Sequence, residues 1–335
     1  MSLVFLDSFN GYNQLLLKWS SGLANFNTLP QYVRTGTQSL NPTGGAFTSV
    51  PRINFQNRKT VYVGIAYYQT ADVGNGLYFF FNSGADAQYC TLAVSNDGSL
   101  VIQDSVVPAS RPGIIDAGQW YYIEVGATFA SAADGGGVTV RVNAEPVIVY
   151  TGDFWDGAHS GVDGFLLPGS AVNNCYFNDL YINDGTGGVN DYFWGPVQIF
   201  AILPDANESP LNFAPLANTN YQEVNQAPPP GDTAYVYDQN SGAVDQYHYT
   251  PGGPSGPYII TGLQHSLCCR LDASGAHTVA SQINGNTGAG PNVGSAAIGN
   301  TYAYVIQPWD LNPNTGNPFA PADFATTWFG PKITS

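Results

Sequence analysis

Alternation of apolar and polar residues with a period of two is the pattern that most constrains the fold of this chain. Segments 61–67 and 138–143 both alternate in this way, which predicts strands with one buried face. Asp97-Gly98 lies between two further β-prone runs and indicates a hairpin, because glycine accepts the positive φ of the turn. The stretch Leu15–Trp19 fits either a short helix or a strand. No segment carries an apolar stripe of helical period beyond one or two turns, so we predict an all-β fold.

The composition agrees with many short strands joined by turns. Charged residues make up 10% of the chain and aromatic residues 13%, whereas soluble domains average roughly 25% charged residues. Disordered chains are poor in aromatic residues and rich in charge, so disorder is not expected. A length of 335 residues favours about two domains, each able to bury a core of its own.

Proline marks the expected border between the domains. The stretch 196–230 contains PDANESPL and ends in three consecutive prolines. Prolines exclude a central strand and favour a stiff connector, so we interpret this stretch as a surface loop of the second domain. We therefore predict a first domain at residues 1–195 and a second β-sandwich domain at 196–335. Within the second domain, alternation over 259–271 predicts one long strand.

The charge disfavours nucleic acid as a partner. The formal net charge is −15, and it is shared almost equally between residues 1–195 (7 basic, 15 acidic) and 196–335 (2 basic, 9 acidic). A polyanion would be repelled, and the simplest role of the charge is solubility. The first residues resemble no signal peptide, and no apolar run approaches the roughly 18 residues of a membrane span. We expect synthesis in a cytoplasm.

The sequence gives no pattern of catalytic or cofactor-binding residues. It contains no nucleophile elbow, zinc-protease, phosphate-loop or dinucleotide motif. The paired acids that glycosidases need are not evident either. His265 lies on a mostly apolar strand face, which favours a core histidine over a catalytic base. We expect no enzyme, no catalytic residue and no cofactor. The residues considered were His159, His248, His265 and His277, the glutamates Glu124, Glu145, Glu208 and Glu223, and the cysteines Cys90, Cys175, Cys268 and Cys269, which we expect to be reduced thiols.

Two weaker site hypotheses concern metal and sugar. Asp184, Asn190 and Asp191 lie in a glycine-rich loop, and calcium prefers such oxygen ligands. The same residue types dominate ordinary turns, so the turn is the favoured interpretation. Tyr192 and Trp194 are the candidates for stacking on a glycan.

Further aromatic residues were considered for the same glycan role. They are Phe193 and the pair Phe154 and Trp155. Core packing is the favoured interpretation for any single aromatic residue of a β-sandwich.

Several motifs resemble those of the concanavalin A-like (laminin-G-like) jelly roll. Gly118–Val125 followed by Gly137–Asn143 is similar to a Trp-bearing strand and a V-x-V-x-V-(D/N)-G strand, with Ala144 in place of the usual glycine. Tyr176–Gly185 resembles the F-D-D-(L/V)-Y-I-x-D strand that closes this fold. The resemblance implies a jelly-roll sandwich for the first domain.

The later motifs resemble virion proteins of tailed bacteriophages. Asn190–Val197 is similar to their N-D-x-F-L-G-P-V continuation, and Trp309–Phe319 to a motif often found in the β domain that follows. The resemblance implies a non-catalytic virion protein: a capsid decoration protein, head fibre or tail component.

Such a protein would have other virion proteins as partners. It would form a homo-oligomer, by analogy a trimer, and multivalency would let it use a weak host glycan. The alternative is a carbohydrate-binding host-adhesion module. The least favoured is a glycan-degrading enzyme, which would need two carboxylates about 5–9 Å apart.

Overall fold

The computed structural model describes most of the chain. The described residues are 2–22, 24–43, 51–71, 78–82, 87–102, 107–154, 161–167, 174–253, 257–272, 276–284 and 293–335. At 78–82, 87–90 and 293–295 the description is limited to the backbone.

The described residues are mainly β-strands. The strands are β1 (Leu3–Asp7), β2 (Ala24–Asn27), β3 (Ser39–Pro42), β4 (Arg52–Arg58), β5 (Thr60–Gln69), β6 (Tyr78–Asn82), β7 (Ala87–Val94), β8 (Leu100–Ile102), β9 (Trp120–Thr128), β10 (Gly137–Val142), β11 (Glu145–Thr151), β12 (Val162–Leu166), β13 (Cys175–Asp184), β14 (Ala206–Leu211), β15 (Ala214–Pro215), β16 (Val236–Tyr237), β17 (Asp245–His248), β18 (Leu263–Cys269), β19 (Thr278–Ile283), β20 (Val293–Ala297), β21 (Ala303–Trp309) and β22 (Phe329–Ile333). One short α-helix, α1, spans Asn220–Val224, and single 3-10 turns lie at Leu15–Leu17, Pro30–Tyr32, Ala132–Asp134, Gly231–Thr233 and Pro321–Ala325. The prediction of an all-β fold is confirmed.

The chain divides into two compact units. Unit 1 consists of Met1–Asn10 and Trp19–Ile199, and unit 2 consists of Gly11–Lys18 and Phe200–Ser335. This division differs from the expected one because a short N-terminal segment belongs to unit 2. That segment contains the 3-10 turn Leu15–Leu17, where the sequence left helix and strand open.

Unit 1 contains two antiparallel sheets. The larger sheet has the order β11-β10-β9-β5-β13-β3-β2, and β1 also pairs with β13. The smaller sheet has the order β4-β12-β6-β7-β8. The first and last strands of the unit are thus neighbours, and most adjacent strands are distant in sequence. This is the topology of a jelly-roll sandwich, as the motifs of the sequence implied.

The strands of unit 1 follow the alternation of the sequence. Val61, Val63 and Ile65 of β5 are at most 1% exposed, and β10 alternates between half-buried and buried positions along its length. The hairpin predicted at Asp97-Gly98 connects β7 and β8, with Gly98 at φ +73°. Period-two patterning therefore located these strands correctly.

Unit 2 is a second β-sandwich. Its five-stranded sheet has the order β14-β17-β22-β19-β20, and β18-β21 and β15-β16 form two-stranded sheets. Tyr247, Ile283 and Phe329 from the five-stranded sheet pack with Trp309 of β21 in one apolar cluster. The strands of unit 2 also alternate between apolar and polar residues, because their two sheet layers share an apolar core.

Two sequence interpretations in unit 2 were wrong. The PDANESPL stretch is not all loop, because residues 206–211 form β14 at the edge of the sheet. Proline is tolerated at an edge, and the register shifts between Glu208 and Leu211 around Pro210. The predicted strand at 259–271 begins only at Leu263, and Ile259 is 86% exposed. The alternation at 259–262 therefore predicted a longer strand than the one that forms.

The described part of the chain has no helix long and apolar enough to cross a membrane. Cys268 and Cys269 are free thiols and Cys175 is buried, and the side chain of Cys90 lies outside the described residues.

Candidate functional site

A bulge in β13 shapes the most elaborate polar site of unit 1. The pairing of β13 with β5 shifts between Asn178 and Tyr181, and Asp179 has a positive φ of 52°. Aspartate tolerates this conformation better than most residues. Two consecutive polar side chains, Asn178 and Asp179, are thereby fully buried.

The Asn178 amide uses both of its ends. Its oxygen accepts the backbone N–H groups of Arg34 at 3.0 Å and Thr35 at 2.7 Å. Its nitrogen donates to the carbonyl oxygens of Ser8 at 2.9 Å and Gln38 at 3.2 Å. The bulge thus fixes two loops of unit 1 through backbone bonds.

The Asp179 carboxylate binds the end of the segment that follows the jelly roll. It accepts the N–H of Ile199 at 2.9 Å and the hydroxyl of Thr35 at 2.8 Å, and it forms an ion pair with Arg34. Arg34 also donates to the carbonyl oxygen of Val197 at 2.7 Å. Burial raises the pKa of Asp179, and Arg34 and the hydrogen bonds oppose this shift.

Glu124 binds the beginning of the same segment. This fully buried carboxylate accepts the hydroxyl of Tyr181 at 2.6 Å and the N–H of Gly195 at 2.8 Å. The Tyr181 oxygen in turn accepts the N–H of Trp194 at 3.1 Å. Burial, followed by the charge of Glu124, raises the pKa of Tyr181 well above its usual value. Arg141 lies 3.9 Å from the second Glu124 oxygen.

We call residues 192–199 the strap, and we call the sheet face that it covers the outer face. Trp194 stacks on Tyr181 with ring centroids 4.6 Å apart, and Phe193 meets Tyr62 edge to face at 5.1 Å. Further along, Val197 and Ile199 pack against a buried cluster that contains Leu3, Leu6, Ala66, Tyr122 and Tyr181. The strap therefore covers a sheet face that would otherwise expose large apolar rings.

Two glycines make room for this layer. A Cβ on Gly64 would lie 2.1 Å from the ring of Tyr181, and one on Gly126 would lie 2.6 Å from the ring of Phe193. No real Cβ atom approaches a ring so closely. Glycine is therefore needed at these two positions, because the rings of Tyr181 and Phe193 lie directly against the backbone there.

Asp184, the first of the three calcium candidates, has partners within the protein. The Asp184 carboxylate is fully buried, forms an ion pair with Arg58 and accepts the N–H and hydroxyl of Thr186 at 3.0 and 2.5 Å. Asn190 has a positive φ of 56°, and its carbonyl oxygen accepts the indole N–H of Trp194 at 3.3 Å. Within the described ranges, no three His, Cys, Asp or Glu side chains converge as metal ligands would. The described contacts of Asp184 and Asn190 fit the turn that the sequence favoured, and a calcium site at Asp184, Asn190 and Asp191 stays an untested hypothesis.

The two glycan candidates lie in different surroundings. Tyr192 is 59% exposed, and its ring lies 5.3 Å from Tyr62 and 4.9 Å from Phe193. Trp194 is half-buried, with one face of its indole against Tyr181. Only Tyr192 offers a ring that is mostly open to solvent.

The other aromatic pair of the sequence offers no platform that can be described. Phe154 is 2% exposed and packs on Phe129, which is the core role favoured for it. Trp155 lies outside the described residues.

The histidines form no described catalytic arrangement. His265 is buried between Tyr249, at 3.3 Å, and the Ser281 hydroxyl, and burial lowers its pKa to about 4. His248 is paired with Asp205 at 2.5 Å. His159 lies outside the described residues. The expectation that the chain is not an enzyme remains a prediction.

Sequence patterns did not reveal the polar site around the strap. Glu124 stands alone among apolar residues in β9, and Arg34 lies in a loop. Their partners are 57 and 145 residues away, so no local spacing indicates them. The motifs at 118–125, 176–185 and 190–197 contain several of these residues, but they indicated the fold and not the contacts.

Comparison with known proteins gives fold-level similarity alone. No family model and no curated protein matches the chain. Among solved structures, a cellulose-induced protein, Cip1, is 10% identical with a TM-score of 0.40, over 53% of this chain and 96% of that one. A galectin from the sponge Cinachyrella sp. is 18% identical with a TM-score of 0.31, over 40% and 99%. A sialidase is 11% identical with a TM-score of 0.34, over 48% of this chain but 16% of its own. None of these similarities carries an argument about function.

Proposed function

We propose that this chain is a non-catalytic structural protein of a tailed-phage particle, as a capsid decoration protein, head fibre or tail component. The observation that carries the proposal is that the buried acidic side chains bind other parts of the same chain. Glu124 and Asp179 accept backbone N–H groups of the strap, and Asp184 is paired with Arg58. Each of these buried carboxylates binds backbone N–H groups or a cation of the chain itself, which supports a structural role for them.

The motif that resembles virion proteins supports the same proposal. Residues 192–197 of that motif belong to the strap, where Trp194 and Gly195 are bound through Tyr181 and Glu124. The resemblance to virion proteins thus lies in the strap, which covers the outer face of the sheet and has a structural role. We propose other virion proteins and further copies of this chain as its partners, and the virion as its location.

Labelling of intact particles tests this role. The chain carrying a small C-terminal tag is produced in infected cells, particles are purified on a density gradient, and anti-tag gold is imaged by electron microscopy. Regularly spaced gold at one location on the particle is expected. Tagged chain that remains in the soluble fraction, with unlabelled particles, would refute the proposal.

A carbohydrate-binding host-adhesion module is the second candidate. The exposed ring of Tyr192 favours it, because sugars stack on open aromatic faces. A glycan array tests this function, and loss of the signal in Tyr192→Ala would assign it to the strap. An array and host cells that both fail to retain the chain would exclude it.

A further inference from the structure

Three aromatic side chains lie side by side across the large sheet of unit 1. Tyr176 of β13 is directly opposite Tyr68 of β5, which is opposite Trp120 of β9. Directly opposite residues of antiparallel strands share a face, and the ring centroids are 6.2 and 5.4 Å apart. Tyr32 stacks on Tyr176 with centroids 4.3 Å apart and planes 4° from parallel. We call these four residues the aromatic row.

The aromatic row lies next to the part of the outer face that the strap packs on. Ala66 and Tyr122, which are opposite each other, belong to the cluster beneath Val197 and Ile199. Tyr68 follows two residues after Ala66, so it shares this face in the next rung. Tyr176 is 7% exposed, and the other three rings are partly exposed.

The aromatic row retains polar groups that the fold does not use. In the described part of the chain, the hydroxyls of Tyr32, Tyr68 and Tyr176 and the indole N–H of Trp120 have no hydrogen-bond partner. Structural tyrosines and tryptophans that are largely buried normally find one. These groups therefore remain available to a ligand.

Asn174 adds an unpaired amide beside the row. Its side chain is 5% exposed, and neither its oxygen nor its nitrogen has a hydrogen-bond partner. Its carbonyl oxygen accepts the N–H of Thr70 at 2.9 Å, which places it one rung beyond Tyr176 and on the same face. An unpaired buried amide destabilises a fold. A bound molecule that forms hydrogen bonds with this amide would supply the missing partner.

We propose that the aromatic row and Asn174 bind a neutral carbohydrate. A sugar ring presents C–H groups on its faces and hydroxyls on its edge, which match partly exposed rings that carry free hydroxyls and a neighbouring amide. The three strands span about 10 Å, which accommodates a short oligosaccharide. The net charge of −15 disfavours an acidic sugar, and the nearby cation Arg34 is already paired with Asp179. The inference rests on the carbohydrate-binding candidate and locates its site.

A glycan array with site variants tests the inference. The full chain is applied to an array of neutral hexose and N-acetylhexosamine oligosaccharides beside sialylated and sulfated ones, and the neutral glycans retained are titrated by calorimetry. Tyr32→Ala and Tyr68→Phe are expected to weaken binding roughly tenfold. Tyr237→Ala, in an exposed ring of unit 2, is the matched control and is expected to bind like the unchanged chain.

Asn174→Leu separates a binding role from a structural one. This change removes the unpaired amide and keeps the same branched arrangement of heavy atoms, so affinity is expected to fall while the thermal midpoint stays equal or rises. A lower midpoint with unchanged affinity would overturn the role of Asn174.

The possible results distinguish failure of the aromatic row as the site from failure of the carbohydrate-binding candidate. Glycan binding that Tyr192→Ala abolishes and the row variants leave intact would overturn the inference and keep the carbohydrate-binding candidate. Retention of acidic glycans alone would overturn it as well. An array that retains nothing would remove both, and particle labelling would still decide the virion role.

Discussion

Acid is expected to destabilise unit 2 through His265. The imidazole is buried in the core, where Nε2 lies 3.3 Å from the Tyr249 hydroxyl and Nδ1 is hydrogen-bonded to the Ser281 hydroxyl. Both bonds suit the neutral ring, and no buried carboxylate is among its described hydrogen-bond partners. Burial accordingly lowers the pKa of His265 from 6.5 to about 4.

The size and sign of the effect follow from the two pKa values. Above pH 6.5 the ring is neutral in the folded and unfolded chain, so it adds no pH dependence. As the pH falls from 6.5 to about 4, only the unfolded chain takes up the proton, and unfolding becomes easier by about 1.4 kcal/mol per pH unit. The total loss is about 3 kcal/mol, a large part of the roughly 5–15 kcal/mol that stabilises a domain.

Hydrogen exchange can measure this loss within unit 2 alone. Mass spectrometry would follow peptides that cover β18 and β19 between about pH 7 and pH 4.5, with intrinsic exchange rates corrected for pH. His265→Gln keeps a polar side chain without a titrating ring, so its opening free energy should lack most of the pH dependence. His277→Gln, in a half-buried histidine outside the apolar core, is the control and should retain it.

Two results would refute the reasoning. One is an opening free energy whose pH dependence is the same in His265→Gln and in the unchanged chain. The other is an NMR titration in which the His265 ring protonates near pH 6.5 while the unit remains folded, since a buried neutral ring cannot do so without a new partner.

Three further predictions concern single side chains. Asp179→Ala leaves the half-buried cation of Arg34 without its buried carboxylate and frees the end of the strap, so urea unfolding should show unit 1 destabilised by about 3 kcal/mol. Gly64→Ala should cost about 1–3 kcal/mol because its Cβ would lie 2.1 Å from a tyrosine ring, whereas Gly299→Ala, with open space around it, should be nearly neutral. Burial raises the pKa of Cys268 to about 11 and of Cys269 to about 12, so iodoacetamide at mildly alkaline pH should label them at least about a hundredfold more slowly than in the unfolded chain. Equal labelling rates would show that these thiols are accessible.

Much of the fold could be predicted from sequence because strand signals are local. The alternation in β5 and β10 depends on residues two positions apart, and the Asp97-Gly98 hairpin depends on the φ of one glycine. The core role of His265 also followed from its strand face. Prediction failed where pairing with a partner strand decides whether a segment is a strand. Ala206–Leu211 is a strand because β17 pairs with it. Ile259 was predicted in a strand but lies outside β18.

The sequence by itself determined an acidic, all-β chain with turns at its glycines and an aromatic motif at 190–197. The tertiary structure decided what those residues do. It buried Glu124 and Asp179 beneath the strap and turned Trp194 onto Tyr181. The physical reason is sequence distance: these contacts join residues that are 13 to 71 positions apart, and only the pairing of strands brings them within a hydrogen bond.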